Sequence, residues 1–243
     1  MDSLALHIQN GVLDGPVSIG YALLATAVLA VSVVRARRAL DDRLAPMAGL
    51  VAAFIFAVQM LNFPVLPGVS GHLVGGALAA LLVGPWVGAL CVSVVLIVQA
   101  LVFADGGVSA IGPNITNMAI VGTAAGYALI ALLLRVLPRN TTGLTITAFA
   151  ASVVSVVAAA LSFVLQYALG GTTQLEAVSL GEIAATMAGT HVLIGVGEGL
   201  ITAATLVTVA KTRPDLVYAL RGLRSGEGRT TTTRQVPATG GVA

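Results

Sequence analysis

The chain has 243 residues, of which 57% are hydrophobic and only 9% are charged, and its mean hydropathy is +0.99. Soluble globular domains carry about 25% charged residues, so this composition excludes a soluble fold. The short alternating segments of a membrane β-barrel are absent from the sequence. The composition therefore indicates an integral membrane protein built from helices.

Apolar segments follow one another along most of the chain. A membrane-spanning helix needs about 20 apolar residues, and the sequence predicts seven spans, at residues 17–35, 45–63, 71–84, 86–104, 114–135, 144–169 and 185–210. The third segment is short and rich in glycine, so we expect a tilted, broken or re-entrant element there. The fold class predicted is an all-α polytopic membrane helical bundle. Residues 1–210 would form one transmembrane domain with an extracytoplasmic segment at 1–16.

The basic residues indicate the orientation of this bundle. With seven crossings and an external amino terminus, all 12 Lys and Arg residues fall on the cytoplasmic side. Membrane proteins retain Lys and Arg on that side, so the charges favour seven crossings over six or eight. No cleavable signal peptide is evident, and we expect the first span to direct insertion. Residues 211–243 are polar and rich in Thr and Arg, which predicts a disordered cytoplasmic tail.

The opposite, outer face of this topology collects acidic and imidazole side chains. These are Asp2, Asp14, Asp105, Glu176, Glu182, His7 and His72. Solubilised loops explain any one of them, because most surface charges do nothing specific. With no basic residue beside them, they would together give the outer mouth a negative potential that concentrates cations.

Two ionisable residues fall inside the last predicted span, His191 and Glu198. Such groups cost at least a few kcal/mol each in a bilayer and usually mark a pathway or a site. Seven residues correspond to about two helical turns, so both side chains face the same way. They could form one polar stripe, or each could be a buried hydrogen-bond partner that joins this helix to its neighbours.

Histidine provides the candidate ligands of the outer face. His72 lies among glycines at the outer mouth, where an imidazole is a suitable ligand for a transition-metal cation. His7 lies in an amino-terminal segment that could fold over it. Solvated rings, or rings satisfied in the core, are the alternative. The sequence has no Cys pair and no HExxH motif to strengthen a metal site, and we interpret the single Cys91 as a small core residue.

Several motifs occur in a fixed order along the chain. They are Asn-Phe-Pro at 62–64, Ser-Gly-His-Leu at 70–73, Gly-Pro-Trp at 84–86, Asp-Gly-Gly at 105–107, Asn114, Asn117, and Gly-Glu-Gly at 197–199. Over about residues 7–210, this combination resembles the CbiM/NikM family. Members of that family are the cobalt or nickel capture (S) components of energy-coupling factor (ECF) transporters, a class of ABC transporter.

The resemblance implies a multi-pass protein of the bacterial cell (inner or plasma) membrane that captures Co²⁺ or Ni²⁺ from outside. Its implied partners are a transmembrane coupling (T) subunit, two cytoplasmic ATPase subunits and a small accessory membrane subunit, besides the lipid bilayer. No nucleic acid is involved. The chain has no GxxxxGK[ST] phosphate loop, so ATP hydrolysis would come from another polypeptide. The metal would be the transported ligand, and no catalytic cofactor is expected.

The resemblance also implies the site residues. In that family a Met-His terminus holds the metal through its terminal amine and through the amide nitrogen and imidazole of the histidine, and the Ser-Gly-His imidazole completes the site. Carried over, the ligands are His7 and His72, a nitrogen-rich set that suits Ni²⁺ and tolerates Co²⁺. The residues expected to orient these ligands, or to extend the site inward, are Asn62, Ser70, Asn114, Asn117, His191 and Glu198.

The chain departs from this pattern at its amino terminus, where six residues precede His7. Either translation begins at Leu6, read as Met from a UUG or CUG codon, or the extension is real and the site is built differently. Two other functions stay open, which are capture of an organic vitamin and an ATPase-independent channel or carrier. An intramembrane enzyme is disfavoured, because the spans lack a GxSxG or HExxH arrangement.

Overall fold

The computed structural model describes residues 7–39, 44–60, 62–66, 69–138, 140–172 and 179–223. The helices are α1 (Gly15–Ala39), α2 (Leu44–Gln59), α3 (Gly76–Val83), α4 (Pro85–Val102), α5 (Ile111–Asn114), α6 (Thr123–Val136), α7 (Thr141–Gly170) and α8 (Leu180–Thr212). A π-helical stretch, Ile115–Gly122, joins α5 to α6, and 3₁₀ turns lie at Val108–Ala110, Pro214–Leu216 and Tyr218–Leu223. Strands β1 (Asn62–Leu66) and β2 (Val69–His72) form an antiparallel hairpin in which Asn62 pairs with His72.

Within the described ranges, five helical stretches are long and apolar enough to cross a membrane. They are Gly15–Arg38, Pro85–Val102, Val108–Val136, Thr141–Gly170 and Leu180–Thr212, while α2 is apolar but shorter. The expected all-α polytopic bundle is therefore confirmed. The number of crossings and the side on which each terminus lies stay predictions.

The structure corrects the second and third predicted spans. The span expected at 45–63 ends as a helix at Gln59, and the first residues of the span expected at 71–84 belong to β2. Only the eight residues of α3 are helical there, a length of about 12 Å against a hydrocarbon core of about 30 Å. The sequence did not predict the hairpin, because a short apolar strand cannot be told from a buried helix by hydropathy.

Helix α3 occupies the centre of the bundle, and every one of its residues is buried. Glycines allow the surrounding helices to come close to it. A Cβ atom on Gly76 would lie 2.8 Å from the backbone nitrogen of Thr123, and one on Gly126 would lie 3.1 Å from the Cα atom of Ala77. Close backbone contact through small residues is the usual way helices pack in lipid.

A sharp reversal joins α3 to α4. Gly84 has φ +85° and ψ 166°, a conformation that is essentially restricted to glycine. Pro85 then occupies the first position of α4. A backbone N–H at that position has no hydrogen-bond partner within the helix, so proline, which lacks this N–H, is tolerated there. The two helices fold back on each other so closely that a Cβ atom on Gly88 would lie 3.0 Å from that of Ala79.

Part of the segment predicted to be a disordered tail is folded. Residues 214–223 form two 3₁₀ turns, in which Val217 is fully buried in the hydrophobic core. The ring of Tyr218 lies against Gly84, 2.8 Å from the position that a Cβ atom would take. Apolar residues at 216, 217, 219 and 220 therefore anchor this segment. The rest of the predicted tail, 224–243, lies outside the described residues.

The two ends of the bundle differ in chemistry. At one end, the guanidinium of Arg35 lies 5.5 Å from the centroid of the Trp86 ring, near the reversal at Gly84. At the other end, the loop after α4 meets the amino-terminal segment through His7 and Asp105. The aromatic and basic end fits the predicted cytoplasmic side, and the imidazole end fits the predicted outer side.

Replacing Gly84 with alanine should destabilise the protein by about 2–3 kcal/mol, because the backbone conformation costs about 1–3 kcal/mol for a residue with a Cβ atom and Tyr218 leaves no room for it. Equilibrium unfolding in detergent measures the change. Gly49→Ala in α2 is the matched control, since nothing lies within 4 Å of its Cβ position and helix propensity favours alanine by about 1 kcal/mol. Equal stability of the two variants would contradict this account of the reversal.

Candidate metal site

The amino-terminal segment, residues 7–14, is bonded to the imidazole end of the bundle. The side chain of Asn114 binds both backbone groups of Ile8, accepting from its N–H at 3.1 Å and donating to its carbonyl at 3.2 Å. The backbone N–H of Gly107 donates to the same carbonyl at 2.9 Å. The side chain of Asn114 thus makes the two hydrogen bonds that a residue of a neighbouring β-strand would make. It holds Ile8, the residue after His7, in place.

The far end of this segment is also secured. Thr172 donates its backbone N–H to the carbonyl of Val12 at 3.0 Å, and Asp14 donates its own to the carbonyl of Gly170 at 2.8 Å. Leu13 forms an isolated β-bridge with Gly171. The segment is therefore tied to the end of α7 as well as to Asn114, the last residue of α5.

His7 is buried, and its two ring nitrogens differ. Nδ1 lies 3.1 Å from Oδ1 of Asp105, and a carboxylate oxygen accepts, so Nδ1 carries the hydrogen. The lone pair of the neutral ring then resides on Nε2. Within the described part of the chain, Nε2 is buried and has no hydrogen-bond partner. A buried atom of this kind marks a place where another group is expected to bind.

In His72, too, the ring hydrogen lies on Nδ1. Its Nδ1 lies 2.8 Å from the carbonyl oxygen of Leu73, which can only accept, so the lone pair again resides on Nε2. Burial, together with the neighbouring His7, lowers the pKa of His72 to about 3. The ring is therefore neutral at pH 7, as a metal ligand must be.

The two imidazoles lie side by side. Their ring centroids are 4.5 Å apart and their planes are inclined by 48°. Among the described residues, no group of three or more His, Cys, Asp and Glu side chains could hold a metal ion. Within those residues, the candidate side-chain ligands at this place are the two imidazoles. Imidazole ligands suit Ni²⁺, Co²⁺, Cu²⁺ and Zn²⁺ better than hard cations.

Glu198 and Gln59 hold the chain just after His72. Oε2 of Glu198 accepts from the backbone N–H of Val74 at 2.6 Å and from that of Gly75 at 3.2 Å. The amide of Gln59 donates to the carbonyl of Val74 at 2.9 Å. Residues 73–75 interrupt the regular structure inside an apolar bundle, and these side chains satisfy backbone groups that water cannot reach. The role of Glu198 is thus to anchor the residues beside His72.

The asparagines expected to orient the histidines make other contacts. Asn114 binds the backbone of Ile8, and Asn117 donates to Oε1 of Gln166 at 2.8 Å. The acceptors of the two imidazole N–H groups are instead Asp105 and the carbonyl of Leu73. Asn62 and Ser70 pair in the hairpin opposite His72 and Pro64, respectively, and their side chains lie outside the described part of the structure.

His191 does not join the imidazole pair directly. Its Nδ1 donates to the carbonyl of Met187 at 2.7 Å, one turn earlier in α8, so this helix satisfies the ring locally. The expectation that His191 extends the site stays a prediction.

Two contributors were absent from the predicted site, Asp105 and Gln59. The sequence showed both residues, one as an acid of the outer face and the other near the end of a span. The position of each residue in the sequence did not reveal which residue it contacts. Asp105 and His7, for example, are 98 positions apart. Only the folding of the amino-terminal segment onto the loop after α4 brings the two together.

The fold and this site define a class, a polytopic membrane protein with a buried pair of adjacent imidazoles at one end. Comparison with known proteins identifies the family. Residues 7–216 match the family model CbiM, described as the cobalt uptake substrate-specific transmembrane region. The chain therefore belongs to the CbiM family, and it is a substrate-specific membrane component of metal uptake and not an enzyme.

Individual relatives agree with this assignment. A putative metal transport protein of Haloquadratum walsbyi is 38% identical, over 88% of this chain and 94% of its own length. The cobalt transport protein CbiM of Sorangium cellulosum is 32% identical, over 92% of this chain and 99% of its own. The crystal structure of a truncated transition metal transporter superposes with a TM-score of 0.74 at 26% identity, covering 85% of this chain and 99% of that one.

Replacing Glu198 with alanine should destabilise the protein by about 3 kcal/mol or more, because two buried N–H groups lose their acceptor and each costs about 1–3 kcal/mol. Glu198→Gln retains an acceptor oxygen and should lose less. Unfolding in detergent distinguishes the two variants. The same loss in both would show that hydrogen bonding by this oxygen does not anchor residues 74 and 75.

Proposed function

We propose that this protein captures Co²⁺ or Ni²⁺ at the extracytoplasmic face and presents it for import as the S subunit of an ECF-type ABC transporter. The observation that carries the proposal is the adjacency of His7 and His72, two buried side chains whose ring centroids lie 4.5 Å apart. Two rings this close can bind one cation between them through one nitrogen each. Relatives with names that specify cobalt or nickel support the same class of ion.

A metal ion bound by the two imidazoles has further coordination positions, which other donors must fill. The family resemblance assigns them to a terminal amine and to the amide nitrogen of His7. Residues 1–6, which precede that amide, lie outside the described residues. Nitrogen donors accept both ions, and affinity order alone does not set selectivity, so Co²⁺ and Ni²⁺ remain equal candidates.

The amino-terminal segment serves as the cover of the site. It contributes His7, and Asn114, Gly107 and Thr172 hold its backbone in place. A cation arriving from outside would meet the acidic end of the bundle, where Asp105 and Asp14 add negative potential. Residues 72–75 and Glu198 form the inner wall of the site.

Import needs partners that this chain does not contain. We propose a transmembrane coupling (T) subunit, two cytoplasmic ATPase subunits and a small accessory membrane subunit, assembled in the cell membrane. The absence of a phosphate loop from the sequence supports a separate source of ATP hydrolysis.

His72→Ala should abolish metal binding. Purified wild-type protein is expected to retain Ni²⁺ or Co²⁺ after desalting. Removing a residue that only hydrogen-bonds a metal ligand lowers metal affinity roughly 10- to 100-fold, and removing the ligand His72 should lower it more. Elemental analysis and titration measure this. Thr208→Ala is the matched control, because it removes an exposed hydroxyl that is bonded to the carbonyl of Ala204 within its own helix. Unchanged loading of His72→Ala would remove His72 from the site.

Accumulation of the metal should require the partners. Vesicles that contain this chain alone are expected to bind labelled Ni²⁺ or Co²⁺ without concentrating it, since the chain has no means of coupling to ATP. Addition of the coupling subunit and ATPases should give ATP-dependent uptake. Transport by the chain alone would identify a channel or carrier, and an organic vitamin that copurifies and is taken up in place of metal would identify a different capture subunit.

A further inference from the structure

Two helical struts leave the residues that follow His72 and run toward the opposite end of the bundle. The first strut is α3, which begins after the break at residues 73–75 and ends at the Gly84 reversal. The second is the last part of α8, from Glu198 to Thr212. The carboxylate of Glu198 accepts two backbone N–H groups of the break, at 2.6 and 3.2 Å. This first tie gives both struts a common origin.

A second tie joins the far ends of the two struts. It is the strap, residues 213–223, which follows α8 and forms two 3₁₀ turns. Val217 of the strap is fully buried in the hydrophobic core. The ring of Tyr218 lies against Gly84, where α3 ends. The break, α3, the strap and α8 therefore form a closed loop of contacts.

The lengths of the elements explain why the strap turns back. At a rise of about 1.5 Å per residue, α8 advances about 21 Å from Glu198 to Thr212, whereas α3 covers about 12 Å. The end of α8 therefore projects about 9 Å beyond the end of α3. The residues from 214 to 218 return at about 2 Å each in 3₁₀ geometry. They span this difference and bring Tyr218 to Gly84.

The strap is bonded more weakly than either strut. Its backbone hydrogen bonds join residues three positions apart and are 3.0 to 3.3 Å long. Bonds of this type have poorer geometry than those of an α-helix, and weakly bonded elements open at lower free-energy cost than core helices. The packing of Val217 and Tyr218 against the bundle is therefore what keeps the strap in place, and a change at the end of α3 reaches it directly.

Helix α3 is suited to carry such a change. It contains only Gly, Ala, Leu and Val, and all eight of its residues are buried. Its neighbours approach it through small residues at Gly88 and Gly126, and packed helices with such surfaces shift by about 1–2 Å as units. A short helix of this kind moves as a rigid body, because close-packed interiors transmit strain. A restraint at its first residue is therefore felt at its last.

We propose that the strap reports metal occupancy of the imidazole end to the opposite face of the protein. The inference rests on the proposed function, and it adds a coupling between the two ends of the bundle. A cation bound by His72 restrains the residue before the break, and Glu198 and α3 pass this restraint to the strap. The bound metal makes the strap pack more tightly. A partner at that face then meets a rigid strap only on the loaded protein.

Amide hydrogen exchange measures this packing in the intact chain. Ni²⁺, and separately Co²⁺, should slow the exchange of residues 213–223 about fivefold or more, the lower end of typical coupling between sites. The first turn of α7, residues 141–144, lies at the same end of the bundle and should keep its rate. Equal slowing of both segments would indicate general stabilisation by a ligand and would overturn the proposal. Unchanged or faster exchange of the strap would overturn it as well.

Two variants of Tyr218 test the second tie. Tyr218→Ala removes the ring that lies against Gly84, so metal should no longer slow the exchange of the strap. Because coupling between sites is reciprocal, the affinity of this variant for Ni²⁺ should fall by about the factor by which Ni²⁺ slows the wild-type strap. Tyr218→Phe keeps the ring and should behave as the wild type. Wild-type slowing of the strap in Tyr218→Ala, or wild-type affinity for Ni²⁺, would contradict the coupling.

A last experiment tests the first tie without metal. Glu198→Gln weakens the bonds to the break, so in the metal-free protein it should speed exchange in the strap more than in the first turn of α7. Thr208→Ala is the control on the same helix, because its exposed hydroxyl is bonded to the carbonyl of Ala204, and it should change neither segment. The same strap exchange in both variants would show that the break and the strap are not coupled. A chain that binds no metal would refute the proposed function instead, and this experiment would still decide the coupling.

Discussion

An apolar bundle can contain a break in its regular structure only if every backbone polar group at the break finds a partner. The residues between β2 and α3 are such a break, and the anchors are Glu198 on α8 and Gln59 on α2. Each unsatisfied N–H would cost about 1–3 kcal/mol. Because the break is secured, α3 can be a short, fully buried helix, and the residue before the break, His72, can remain at a fixed place among apolar side chains.

The second half of the site comes from a part of the chain that is not helical. The amino-terminal segment has no regular partner strand, and its stability derives from Asn114, Gly107 and the end of α7. It supplies one imidazole, and the break in the bundle supplies the other. Binding would thus join two separately anchored elements. Similar two-part sites at interrupted helices occur in other membrane transporters, where irregular backbone is tolerated only beside a cavity or within protein.

Hydropathy and motif order predicted much of this molecule before any coordinates. The long spans, the bundle and the candidate ligands His7 and His72 were all evident, because burial in lipid demands long apolar segments and because histidines are rare in this chain. The hairpin was missed, since short apolar strands and buried helices look alike. Asp105, the acceptor beside His7, was not among the residues expected to orient the rings, because contacts between residues far apart along the chain leave no mark on either local sequence.

The sequence by itself determined that the chain lies in a membrane, that helices build it, and which imidazoles are candidates for metal. The first two properties follow from composition and periodicity, which act on each segment separately, and the third is implied by the resemblance to the CbiM/NikM family. Only the tertiary structure decided which groups meet. It placed His7 beside His72 and Asp105 beside Nδ1 of His7. It also showed that Glu198, a possible pathway residue, anchors the residues between β2 and α3. Each of these facts is a distance between atoms far apart along the chain, and only packing fixes such distances.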